Sequence, residues 1–185
     1  PNAIRFIGEE DGVFNTDDFI LFYAEGPYEY NEESDTNINL YEEKSYYYIN
    51  TQGALGKRIM PFNQPEDDPT LEISTFQDYQ FYEVDENNIG KIGRRWFGER
   101  FDVENEKEFI FSFPNLVTST PAKIKVLAAG VSETTLSNME VVLNGTLAGT
   151  INFAAVNDPI LAFPNSYQNE VTLPSEDVVV DLVYN

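Results

Sequence analysis

Strict period-two alternation in residues 107–113, KEFIFSF, limits this chain more than any other feature. Phe109, Phe111 and Phe113 point one way, while Glu108, Ile110 and Ser112 point the other. That spacing belongs to a strand with one buried face and one wet face. The tract AKIKVLA repeats it, with Ile124 and Val126 inward and Lys123 and Lys125 outward. Asn144-Gly145, set between VVL and TLAGTI, predicts a two-residue hairpin, because both turn positions must tolerate positive φ. Further short runs rich in Phe, Tyr, Ile and Val predict strands at 19–23, 46–50, 79–84, 108–113, 122–128, 139–143, 150–153, 170–173 and 178–184. No stretch beyond about ten residues keeps a helical period. The expected fold is all-β, an antiparallel β-sandwich of jelly-roll or Ig-like type, with an irregular, loop-rich N-terminal β part. Phe109, Phe111, Phe113, Ile124, Val126, Val141, Leu143 and Val180 are the expected core.

Organisation follows composition. Residues 25–45 and 61–74 are acidic and rich in Pro or Asn, as long exposed loops are, and regular β pattern begins near Phe109. This divides the chain into an irregular region, 1–105, and a sandwich part, 106–185, within a length that also allows a single domain 1–185. No internal repeat is evident. The first residue is Pro1, not Met, so the chain is expected to be a piece of something longer.

Charge and missing residue types exclude whole classes of function. With 32 acidic against 11 basic residues the net charge is −21, which repels phosphate backbones and anionic lipid and favours divalent cations or basic partners. Nucleic acid is therefore not an expected partner. No apolar run reaches the ~18 residues of a spanning helix, and no signal segment opens the chain. At 42% apolar and 14% aromatic, with 11 Tyr and 14 Phe, the chain is nonetheless expected to fold. There is no His and no Cys, which removes imidazole bases, thiolate nucleophiles, disulfides and the usual transition-metal ligands. Absence of Cys suits either a reducing cytosol or a bacterial surface protein stable without disulfides.

Two constellations are candidates for binding. In residues 8–18, GEEDGVFNTDD, the turn at Asp11-Gly12 gathers Glu9, Asp11, Asn15 and Asp18 as oxygen ligands of the kind calcium takes. Against an EF-hand loop aligned on Gly12, Ile7 falls at the first ligand position and an Asp at the last, and a solvated acidic turn capping a strand explains the same residues. Calcium is the one cofactor the pattern suggests. In residues 91–100, KIGRRWFGER, Arg94, Arg95 and Arg100 surround the single tryptophan, Trp96. Arginines beside an aromatic ring can hold a carboxylate or a sugar by bidentate bonds and stacking. They can equally pair with the chain's own carboxylates while Trp96 anchors the loop. Asn144-Gly145-Thr146 also matches a glycosylation sequon, though the hairpin accounts for it. Carboxylate pairs for glycoside hydrolysis are always available among 32 acidic residues and so point to nothing.

Three tracts, EDGVFNTDDFILFYAEGP, KSYYYIN and TFQDYQFYEVDENNIGKIGRRWFGERF, in that order and spacing, resemble the region upstream of the peptidase domain in the PorU family. These are the gingipain-like sortases of the Bacteroidetes type IX secretion system. The resemblance covers roughly residues 1–101; the later part is similar only in general β character. It implies a place at the bacterial outer-membrane surface and a parent that is a cysteine endopeptidase, removing C-terminal sorting signals and attaching cargo to lipopolysaccharide. The family's catalytic Cys and His belong to a later α/β domain, so no catalytic residue carries over. The leading expectation is a non-catalytic structural or interaction module, partnered by the downstream peptidase domain of the same parent and by other secretion proteins. The alternative is a module binding carbohydrate or lipopolysaccharide, a surface glycan; a stand-alone glycosidase comes third.

Overall fold

The computed structural model describes residues 2–33, 35–39, 41–64, 68–89, 95–158 and 160–185. The chain forms two compact units, one from Pro1–Glu29 and Ile38–Phe76, the other from Tyr30–Asn37 and Gln77–Asn185. The fold is all-β with antiparallel sheets, as the alternation predicts. Among the described residues no helix is long and apolar enough to cross a membrane.

The first unit carries little regular structure. Strands β1 (Ile4–Ile7) and β2 (Phe19–Phe22) make an antiparallel ribbon in which Ile4 faces Phe22 and Ile7 faces Phe19. A second backbone contact runs beside β1, where Ile4 N–H donates to Lys57 O at 3.0 Å and Ile59 N–H to Ile4 O at 2.8 Å. The predicted strand at 46–50 is not formed: Tyr46, Tyr47, Tyr48 and Ile49 have no ladder partner among the described residues, and Tyr48 is 92% exposed. Its composition suits a pleated surface, but a strand exists only when another strand satisfies its backbone.

The second unit is a two-layer sandwich. Strands β3 (Glu106–Ser112), β8 (Asp177–Tyr184), β5 (Ser137–Leu143) and β6 (Thr146–Phe153) lie in that order in a four-stranded sheet. Strands β4 (Ala122–Gly130) and β7 (Phe163–Val171) pair along their whole lengths as a second layer. The β5–β6 turn is the one the sequence requires, with Asn144 at φ 47° and Gly145 at φ 75°. The predicted strand at 79–84 is again absent as a ladder. Conversely, β7 begins at Phe163, well before the predicted 170–173. Its sequence FPNSYQNEV has little β character, and nine residues of pairing with β4 impose the strand. Strand β1 was also not predicted.

Burial is confined to the second unit. No described residue before Gly130 is buried, whereas Met139, Val141, Leu143, Ile151, Phe153, Leu173, Val178 and Val180 form one apolar cluster. All the expected core residues pack in or on it. Val141, Leu143 and Val180 are buried; Phe109, Phe111, Phe113, Ile124 and Val126 are half-buried against it. The half-buried five lie on β3, with Phe113 just past its end, and on β4, and the buried three on the central strands β5 and β8. Across the layers, the Tyr167 hydroxyl donates to Ala148 O at 2.8 Å, and its ring lies so close to Gly149 that an added Cβ would sit 2.2 Å from Cε2.

These positions separate sharply in energy. Phe153→Ala, at 2% exposure, is expected to lower unfolding free energy by about 3–5 kcal/mol. Gly149→Ala is expected to cost about 1–3 kcal/mol through the Tyr167 clash. Ile110→Ser, on the opposite face of β3, should change it by less than about 0.5 kcal/mol. Urea denaturation measures all three.

Candidate functional site

The acidic turn is built around two glycines. A single 3-10 turn, Glu9–Asp11, is flanked by Gly8 at φ 90° and Gly12 at φ 74°, a conformation other residues adopt only at a cost. The turn folds back through side-chain acceptors. Asp11 accepts from Val13 N–H at 2.9 Å and from the Asn15 side-chain amide at 3.3 Å, while Asp18 accepts from Asn15 N–H at 2.8 Å. Asp11, Asn15 and Asp18 are thus brought together as the sequence suggested, but as a self-capped Asx arrangement. Glu9 leaves the group and pairs with Arg58 at 3.2 Å. Among the described residues, no group of three or more acidic side chains is placed to hold a metal ion. A calcium ion at Asp11, Asn15 and Asp18 would have to displace the bonds to the Val13 and Asn15 amides.

The basic tract is described from Arg95 onward. Arg94 lies outside the described residues. Phe97 pairs by backbone with Asn87 in both directions, at 2.9 and 2.7 Å, so the described part of the tract, 95–100, runs back past Asn87. Arg100 Nε donates to Asn87 Oδ1 at 2.9 Å, and the Asn87 amide donates to Gly98 O at 2.6 Å. Trp96 is partly exposed and Arg95 half-buried. Arg100 therefore braces the loop at Asn87, and Arg95 adds its charge to those around Asp35.

The structure assembles a cluster that spacing does not reveal. Asp35, at φ 57°, accepts from the Tyr30 hydroxyl at 2.9 Å and from the Lys125 ammonium. Burial opposes ionisation of Asp35. The hydrogen bonds from Lys125 and Tyr30 and the charges of Lys125 and Arg95 outweigh it and hold the carboxyl below its usual range. The same bond to Asp35 raises the Tyr30 hydroxyl. Asp35 and Lys125 are 90 residues apart in the chain; the only local signal was Lys125 on the outward face of AKIKVLA.

Asp85 is the opposite case. One carboxylate oxygen, Oδ2, is buried without a hydrogen-bond partner, and burial followed by the Glu83 charge raises its pKa. Glu83 is itself occupied by the Asn37 backbone and side-chain amides at 2.7 and 3.1 Å. A shallow pocket of about 160 Å³ lined by Arg5, Ile59, Met60 and Pro61 lies in the first unit. It is smaller than the roughly 300–1,000 Å³ of ligand sites.

These carboxyls give stability of opposite pH sign. Asp35, with its pKa depressed, stabilises above the ordinary aspartate range, and that contribution is lost as pH falls through the depressed value. Asp85, with its pKa raised, is destabilising when ionised, and the penalty disappears as pH falls through the raised value. Asp85→Asn is therefore expected to raise the melting temperature at pH 7 and to have no effect near pH 3; Asp35→Asn should lower it at pH 7, by an amount that shrinks as pH falls from the ordinary aspartate range through the depressed value. For the acidic turn, melting with calcium and with chelator is the measurement. A rise that Asp18→Ala abolishes marks a bound ion, and equal temperatures leave the self-capped turn alone.

No family model matches the chain, and no curated protein matches it. Among solved structures, part of the chain is similar to part of dimeric latent PorU from Porphyromonas gingivalis, with a TM-score of 0.41 and 16% identity over 56% of this chain. The match spans 10% of the length of that protein.

Proposed function

We propose that this chain is a non-catalytic β module of a surface gingipain-like peptidase of the type IX secretion system, acting by protein contact. The PorU-like tracts within residues 10–101 support the parentage. The observation that carries the role is the first unit's exposed apolar surface: Tyr48, Leu55 and Phe62 are 92, 91 and 85% exposed, and none of its described residues is buried. Soluble proteins do not keep that much aromatic surface in water without a use for it, and a protein partner is the use that matches its extent. Its partner in this reading is the peptidase domain of the same parent chain.

Catalysis by this chain is not part of the proposal. A gingipain-like reaction needs a thiolate and an imidazole, and the sequence contains neither. Asp35 is held ionised by Lys125, and Asp85 stands without a neighbouring nucleophile among the described residues, so neither forms an acid–base pair.

Biolayer interferometry of this chain against the parent's peptidase domain is expected to show saturable binding. Tyr48→Ser combined with Leu55→Ser should weaken it by about tenfold or more while leaving the chain's own stability within about 0.5 kcal/mol. Saturable binding on a glycan array, with none to the peptidase domain, would replace this function by the carbohydrate-binding one. A peptide bearing a C-terminal sorting signal should stay intact; cleavage that survives a thiol-blocking reagent would make the chain an enzyme.

A further inference from the structure

Strand β3 lies at the margin of its sheet, and its hydrogen-bonding alternates. Tyr184 N–H donates to Asn105 O at 2.7 Å and Phe113 N–H to Glu176 O at 2.8 Å, so odd-numbered residues from 105 to 113 bond β8. Glu106, Glu108, Ile110 and Ser112 direct their N–H and C=O groups away from it. Only Ser112 is met there, and by a side chain. Gln80 accepts from Ser112 N–H at 3.4 Å, and its amide donates to Ser112 O, so one carboxamide imitates the backbone of a neighbouring strand. Tyr82 follows, with its ring centroid 4.8 Å from that of Phe109. Among the described residues nothing bonds the outer backbone of Glu106, Glu108 or Ile110.

We propose that the free edge of β3 is an acceptor for an extended strand of a partner protein in which basic and apolar residues alternate, and that Gln80 and Tyr82 hold the edge until that strand arrives. The backbone of Glu106–Ser112 supplies the pairing, as in strand addition to any open sheet. The side chains define the occupant. On the outer face, Glu106 and Glu108 are joined across the sheet by Asp181 and Glu140, with no lysine or arginine in those rows. Glu108 stands directly opposite Asp181, a like-charge pair that is unfavourable until a cation comes between. Basic residues therefore belong on that side of the incoming strand. On the inner face it meets Tyr82 and Phe109, which call for apolar residues. A second copy of β3 would bring its own glutamates to this edge and is repelled. The proposal uses none of the aromatic residues of the first unit and stands whether or not the sortase parentage holds.

The test uses the whole chain and a heptapeptide of alternating lysine and valine. Binding is expected to slow amide hydrogen exchange at Glu106, Glu108 and Ile110 by at least about tenfold. Gln80→Ala, which removes the competing carboxamide, should tighten binding about 2- to 10-fold. Ile110→Pro removes an N–H that faces the free edge and leaves the β8 ladder intact, so it should abolish the protection. If that variant does not fold, a peptide N-methylated on the residues whose amides would face β3 makes the same cut from the other side. Unchanged exchange overturns the proposal. So does equal binding by the N-methylated peptide, which would show charge attraction alone, or by a glutamate–valine heptapeptide.

Discussion

The structure depends on the inward face of the four-stranded sheet in the second unit. Val141, Ile151 and Phe153 are the largest side chains fully removed from water. They sit on the two central-to-marginal strands, β5 and β6, joined by the Asn144-Gly145 turn, so the tightest local connection delivers the deepest burial. At about 1.5–3 kcal/mol for each large apolar side chain, this cluster outweighs any other single contribution in the chain. The polar strand β7 exists because β4 lays Ile124 and Val126 on that cluster and offers β7 a backbone to pair with.

Charge works against this arrangement and shapes the surface around it. A chain of net charge −21 repels itself, and 11 basic residues are too few to neutralise it. Those available are placed where they matter locally: Lys125 on Asp35, Arg58 on Glu9, and Lys107 between Glu99 and Glu104. The outer face of β3, β8 and β5 receives none. Its unneutralised carboxylates keep the exposed sheet edge from pairing with copies of itself, a common protection for open edges, and leave it receptive to positive charge.

The two units therefore present different chemistry to a partner. The first offers aromatic and aliphatic side chains with almost no regular backbone pairing of its own. The second offers a rigid sheet with an acidic margin. A module whose function is contact would use both, since apolar area supplies affinity while charge complementarity supplies partner choice.

What could be read from sequence was local. Alternation set the facing of Phe109, Phe111, Phe113, Ile124 and Val126, and Asn144-Gly145 set a hairpin, because a side chain's direction along a strand depends only on its immediate neighbours. The acidic turn was legible for the same reason: Asp11, Asn15 and Asp18 reach one another within a single loop. What the turn does with its carboxylates was not legible, because they are spent on the amides of Val13 and Asn15. The tyrosines of 46–50 and the aromatics of 79–84 carry the same β composition as true strands, yet among the described residues no neighbouring strand completes them. Strand β7, with a composition that argues against it, is completed by β4. The cluster of Tyr30, Asp35, Arg95 and Lys125, and the grip of Gln80 on Ser112, likewise join residues remote in the chain. The sequence determined which way side chains face, because that is a matter of adjacent bonds. Only the tertiary structure decided which backbones pair and which charges meet, because those depend on partners brought together by the burial of Val141, Ile151 and Phe153.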